Sequence, residues 1–247
     1  LHIIMKKTYS FLLAFTLMAG LLCSCHLNRI SGNGNVISKE IQIEDYDEIE
    51  IRGENIDLQY TQSDSTPYLK IETDQNIMEL LEIKSDNKEL VIHPQDKHIG
   101  INPTRFIVTT NSTSLQEFEM AGGGNCDLGK GLTGYKLDIK AAGGGTIKAE
   151  NITIARLDCK TAGNCTFHLS GKTEKMHIKS AGNCTVKAFD LETEELNCKT
   201  AGSAHIEITA NQAISTQIAG NGTIRYKGNP KIKEKSIAGS GSITKVD

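Results

Sequence analysis

The chain has 247 residues, with 23 Gly, 4 Pro, 7 Cys, no Trp and a formal net charge of −3. A hydrophobic fraction of 38% excludes a long disordered chain and a polytopic membrane protein, and Gly is far too sparse for collagen. The mild negative charge leaves no electrostatic footprint for nucleic acid, so none is expected as a partner.

In chain order, Lys6 and Lys7 precede an apolar run from Phe11 to Leu22. The run is short of the roughly 20 residues that span a bilayer and fits the apolar core of a signal peptide. It ends Leu22-Cys23-Ser24-Cys25. This resembles the lipobox of bacterial lipoproteins, with Leu three residues before the modified Cys and a small residue just before it. Cys25 fits that place. Cys23 does not, because Leu22 is too large for the small-residue slot. The resemblance implies a signal peptide over 1–24, lipidation of Cys25 and membrane attachment through several acyl chains, which hold far better than one. Residues 25–35 read as the lipidated Cys and a flexible tether, since Ser31-Gly32-Asn33-Gly34-Asn35 is polar and Gly-rich. Surface-exported lipoproteins carry an acidic cluster after that Cys. His26-Leu27-Asn28-Arg29 has none, which favours the periplasmic face of the outer membrane over the cell surface.

Residues 36–115 read as an irregular β-rich cap. Apolar and polar residues alternate at 68–72, 89–92 and 105–109, the period of a half-buried strand. Residues 76–83 read as one or two helical turns. The stretch 46–51 followed by 55–58 echoes 115–120 followed by 125–128.

Residues 116–247 form a repeat. Its anchor column is Gly124, Gly143, Gly163, Gly182, Gly202, Gly220 and Gly239, at spacings of 18 to 20. Asn or Ser follows most anchors, as at Asn164, Asn183 and Ser203. Four residues past it lie Leu128, Ile147, Phe167, Val186, Ile206 and Ile224. Each unit alternates apolar and polar residues, and none carries a helical stripe. Such units predict an all-β, single-stranded parallel β-helix, or β-solenoid, of about 19–20 residues per coil. One coil cannot bury its own face, so stacking makes the core. Asn164 and Asn183 are placed to form an amide ladder between coils.

With the repeat, the order of segments (the Gly-Asn-Gly-Asn at 32–35, the 57–62 and 69–92 segments and the Gly corners) resembles a known family. It is the auto-transporter adhesin, head GIN domain family of secreted or lipid-anchored β-solenoid proteins of Bacteroidota. The resemblance implies adhesion, although a fold alone does not fix a function.

Candidate chemistry is sparse. Cys126, Cys165 and Cys184 read as one column, and Cys159 with Cys198 as another. Both columns face inward, where Cys behaves as a small hydrophobe. Cys165 and Cys184 on neighbouring coils lie at about 4.8 Å, within reach of a disulfide that export permits. Lys140, Lys160, Lys179 and Lys199 form an outward column, either a solvated face or a basic ridge for anionic glycan or lipid headgroups. Glu119, Asp138 and Asp158 are expected in the adjacent outward column. Thr146, Thr166, Thr185, Thr223 and Ser242 form a hydroxyl column interrupted by His205, which is ordinary strand chemistry. His168, His177 and His205 show no catalytic pattern. Residues 190–195 read as an acidic loop. No Cys-x-x-Cys pair or recurring Asp indicates zinc or calcium, and no cofactor is expected. The reading is a non-catalytic, lipid-anchored binding protein for a glycan, matrix or envelope partner. Its alternatives are a polysaccharide-active β-helix enzyme or a structural spacer.

Overall fold

The structure is a computed structural model and describes residues 28–96 and 98–247. The expected signal peptide and Cys25 lie outside the described residues. Strands make up 81% of those described and helix 2%, so the all-β class holds.

The strands in chain order are β1 (Asn28–Ser31), β2 (Val36–Gln42), β3 (Glu48–Gln62), β4 (Tyr68–Asp74), β5 (Leu81–Asp86), β6 (Glu89–Pro94), β7 (Ile99–Asn102), β8 (Phe106–Ser112), β9 (Glu117–Lys130), β10 (Thr133–Lys227), β11 (Lys231–Ala238) and β12 (Ser242–Lys245). One short helix, α1 (Gln75–Met78), follows β4. The three alternating segments read from the 36–115 sequence are β4, β6 and β8. The main sheet runs β11-β10-β9-β3-β8-β4-β2. It is mixed. β3 pairs in parallel with β6, β8 and β9, and β10 with β9, β11 and β12, whereas β4 pairs antiparallel with β2 and β8, as does β5 with β6.

β10 is 95 residues of extended chain, and its Gly163, Gly182, Gly202 and Gly220 lie against glycines 18 to 20 residues earlier. Gly163 has φ +121° and Gly182 φ +113°, where a side chain is strained. A Cβ on Gly163 would overlap the carbonyl oxygen of Gly143, and one on Gly182 that of Gly163. Chain thus lies on chain with no room for even a methyl group between them.

The register corrects the anchor of the first repeat. Gly143 pairs with Gly122, not Gly124, and Gly122 pairs with Gly53. The sequence reading slipped by two residues because 122–124 is a run of three glycines. A slip of two keeps every side chain on its own face; a slip of one would have reversed them. The echo of 46–51 in 115–120 holds residue for residue, with Ile49 on Phe118 and Ile51 on Met120. An irregularity between Gly53 and Ile56 then brings Leu58 onto Cys126.

The core is continuous from the N-terminal strands into the repeat. Leu58, Cys126, Ile147, Phe167, Val186 and Ile206 all face inward and are buried. In the cap, the hydroxyls of Tyr46 and Thr110 share a hydrogen bond of 2.7 Å, and those of Tyr60 and Ser112 one of 2.9 Å. These bonds satisfy polar groups that burial would otherwise penalise.

The stretch expected to be a flexible tether is fastened. β1 pairs in parallel with β7 over four residues. The buried Asp74 carboxylate accepts hydrogen bonds from the Gly34 amide, the Thr104 amide and the Thr104 hydroxyl, each at 2.7 Å. Burial alone would raise the Asp74 pKa, but the bonds from Thr104 and Gly34 hold it below its ordinary value. Asn33 donates its amide to the Asn76 side chain at 3.0 Å.

Candidate functional site

Two outer surfaces carry the polar side chains. On the first, strand alternation sets three columns side by side. Lys136 and Arg156 belong to one; Glu48, Glu117, Asp138, Asp158 and His177 to the next; Glu119, Lys140, Lys160, Lys179 and Lys199 to the third. The register places Glu119 beside Lys140 and Glu117 beside Asp138. Glu119 therefore stands in the lysine column and not in the adjacent one.

The lysine column is half neutralised. Lys140 pairs with Glu117 and, at 3.8 Å, with Glu119. Lys160 lies 3.8 Å from Asp138. Lys179 is exposed and Lys199 half-buried, and neither forms an ion pair among the described residues. The Lys140 pKa is raised chiefly by its hydrogen bond to Glu117.

Asp138 and Asp158 were expected in water, and each is only 5% exposed. The aliphatic stems of neighbouring cations cover them. Lys136 reaches Asp138 at 2.6 Å. Arg156 grips Asp158 with two bonds, 2.7 and 3.2 Å. His177 Nδ1 lies 2.9 Å from Asp158, one coil on. Burial pushes the Asp158 pKa up, and the Arg156 hydrogen bonds and charge more than offset this, leaving it lowered. The sequence reading left His177 unassigned. The signal was its 19-residue offset from Asp158.

The second outer surface lies past the glycine corner. The hydroxyl column Thr146, Thr166 and Thr185 is half-buried there. Beyond it, a depression of about 270 Å³ is lined by residues that include Glu150, His168, Lys187, Phe189, Asp190 and Glu207. The Phe189 ring carries the Lys227 ammonium 5.1 Å and the Arg225 guanidinium 5.7 Å from its centroid. Residue-type searches of the sequence missed this place, because a lone Phe on an outward strand position has no motif.

The acidic stretch 190–195 is strand, not loop. Leu191 and Thr193 point inward. Glu195 pairs with Lys233 at 2.9 Å and Glu192 with Lys172 at 3.8 Å. Among the described residues, no group of three or more His, Cys, Asp or Glu is placed to hold a metal ion. No helix among them is long and apolar enough to cross a membrane.

All five body cysteines are buried free thiols. Cys126 pairs with Ile147 and Leu58, so it leaves the column assigned to it with Cys165 and Cys184. Burial pushes the Cys126 thiol up to about 12 and Cys165, helped by the neighbouring Cys184, to about 11. Cys159, Cys184 and Cys198 are raised as well, again chiefly by burial.

The mixed sheet and its glycine-lined repeat resemble known proteins. Residues 45–230 match the family described as "Putative auto-transporter adhesin, head GIN domain". The chain belongs to this family. Solved structures resemble this head GIN protein over most of its length. A protein described as a "putative adhesin" from Bacteroides fragilis has a TM-score of 0.79 and 25% identity, covering 88% of this chain and 100% of its own. A "putative lipid binding protein" from Parabacteroides distasonis has a TM-score of 0.69 and 30% identity, covering 89% and 100%. A further "putative adhesin", from Parabacteroides merdae, has a TM-score of 0.61 and 28% identity over the same shares. No curated protein matches the sequence.

Proposed function

We propose that this head GIN protein is a non-catalytic, lipid-anchored adhesin of the bacterial envelope, built as a single-stranded parallel β-helix on an irregular β cap. The observation that carries this reading is the stacking itself. Outward positions recur along the repeat, so lysines and hydroxyls line up in columns at strand spacing, about 4.8 Å. A surface of that kind suits a repetitive partner, such as a glycan or an envelope or matrix polymer, by many weak contacts acting together. Family membership and the adhesins among the similar structures support the same reading.

In this proposal Cys25 carries the lipid and the outer membrane is the host, with the periplasmic face favoured. The docking of β1 gives the anchor a short reach. Two residues separate Cys25 from Asn28, a span of at most about 11 Å. The cap is then held next to the headgroups, and the coils project the binding surface away from them. The lysine column remains a candidate contact through Lys179 and Lys199.

Labelling cells with an alkyne palmitate analogue tests the anchor. Wild-type protein takes up label and sediments with membranes; Cys25→Ala loses both. Uptake of label by Cys25→Ala refutes the assignment. Adhesion of cells bearing the protein to glycan and matrix surfaces tests the binding role. Equal adhesion by cells lacking it refutes that role.

A further inference from the structure

We infer that the depression around Phe189 is a subsite for a neutral pyranose unit of a glycan. This deepens the adhesin reading and rests on it.

The argument begins with the ring. Phe189 stands on an outward strand position and is half-buried. Lys227 and Arg225, which sit over it, both come from the coil two beyond its own. His168, from the coil before, and Glu150, from two before, line the depression with it. The same ring forms part of the lining of the depression. A pyranose has one face of C–H groups that packs on such a ring, and a rim of hydroxyls that need partners. An aromatic ring seats an apolar face and leaves polar tips to the surroundings.

The rim partners are present and alternate in kind. Glu150, Asp190 and Glu207 accept hydrogen bonds; Lys187 donates. Glu207 is fixed by Arg225 at 2.7 Å and Glu150 by Lys148 at 3.1 Å. Acceptors held this way are preorganised and need not be ordered by the ligand. The charge decides among ligands. Glu150 and Glu207 are paired with Lys148 and Arg225, which leaves Asp190 against Lys187 in the lining, a near-balanced wall with no excess of cations to hold phosphate, sulfate or uronate. Pockets for drug-sized molecules begin at about 300 Å³; at about 270 Å³ the depression takes one sugar ring. Its polar wall offers no seat to an acyl chain. A single open subsite of this size binds in the millimolar range, and avidity along a polymer supplies the rest.

The test is saturation-transfer NMR on the full chain with methyl glycosides of glucose, galactose and N-acetylglucosamine, and with glucuronate as the charged control. At least one neutral glycoside receives saturation and glucuronate does not. Phe189→Ala lowers the transfer at least tenfold. Asp190→Asn, an exposed change that leaves the fold alone, lowers it several-fold and guards against misfolding of the Phe189 variant. No transfer to any neutral glycoside overturns the subsite, as does transfer that both variants leave unchanged or stronger transfer to glucuronate. Cell adhesion that persists in Phe189→Ala, with transfer absent in the wild type, removes the subsite and leaves the adhesin reading standing. Loss of adhesion in neither variant nor deletion removes the adhesin reading instead.

Discussion

The side-chain amide of Asn183 donates a hydrogen bond to the side-chain oxygen of Asn164, 2.8 Å away and one coil earlier. The two residues are 19 apart in sequence and follow stacked glycines. Their bond sets side chains one repeat apart next to each other. It lies in the open, so water competes for it, and a typical net contribution is about 1 kcal/mol. Asn183→Ala is expected to lower thermal stability by a few degrees and leave the fold intact, as read by circular dichroism. An unchanged melting temperature would show that the ladder only marks the coil.

The glycine beneath it matters far more. Gly163→Ala meets both a positive φ and the carbonyl oxygen of Gly143. Strain of this kind costs about 1–3 kcal/mol on its own, and the overlap adds to it. Denaturant titration should place Gly163→Ala well below Gly131→Ala. Gly131 also has a positive φ but open space around it, so the difference isolates the close approach.

The fastened strap gives a third expectation. Asp74→Ala removes three hydrogen bonds that hold Gly34 and Thr104. Limited proteolysis is expected to cut within 29–35 in the variant and not in the wild type. Equal resistance would mean that the β1–β7 pairing suffices.

Stability has an acid limit at Asp158. Its folded pKa is depressed below 3.8, so its stabilisation is full above that value and lost as pH falls through the folded pKa. Asp158→Asn leaves Arg156 and His177 without their carboxylate. Both stay partly in water, 46% and 29% exposed, so the loss is smaller than for a fully buried pair. Urea titration at pH 7 should show this loss, and the gap between wild type and variant should narrow as pH falls below 3.8.

The thiols set an alkaline limit. Unfolded thiols ionise near pH 9, and the folded ones are held well above it. Their contribution is full below pH 9 and falls as pH rises, by about 1.4 kcal/mol per pH unit for each thiol until its folded value is reached. Ellman's reagent at pH 8 should find no reactive body thiol in native protein and five after unfolding without reductant. Three after unfolding would reveal a Cys165–Cys184 disulfide.

Much of this was legible in the sequence because a stacked repeat writes its geometry locally. Alternation fixes which residues face in, and a face cannot change without unburying Phe167 or Val186. The 19-residue offset predicted the Asn164–Asn183 bond and aligned the lysines. What the sequence could not settle was how neighbouring columns interact. Three adjacent glycines gave no side chain by which to choose Gly122 over Gly124, and only backbone pairing with Gly53 and Gly143 decided it. Asp138 and Asp158 read as exposed because their positions point outward; the stems of Lys136 and Arg156 then closed over them. Gly32 to Asn35 looked loose because its restraint comes from Asp74 and Asn76, some 40 residues on. Phe189 had no meaning until its coil lay between His168 and Lys227. Local periodicity determines the coil, since it is a matter of chain geometry and burial. Ion pairs, the strap and the depression depend on which coils touch, and that belongs to the tertiary structure alone.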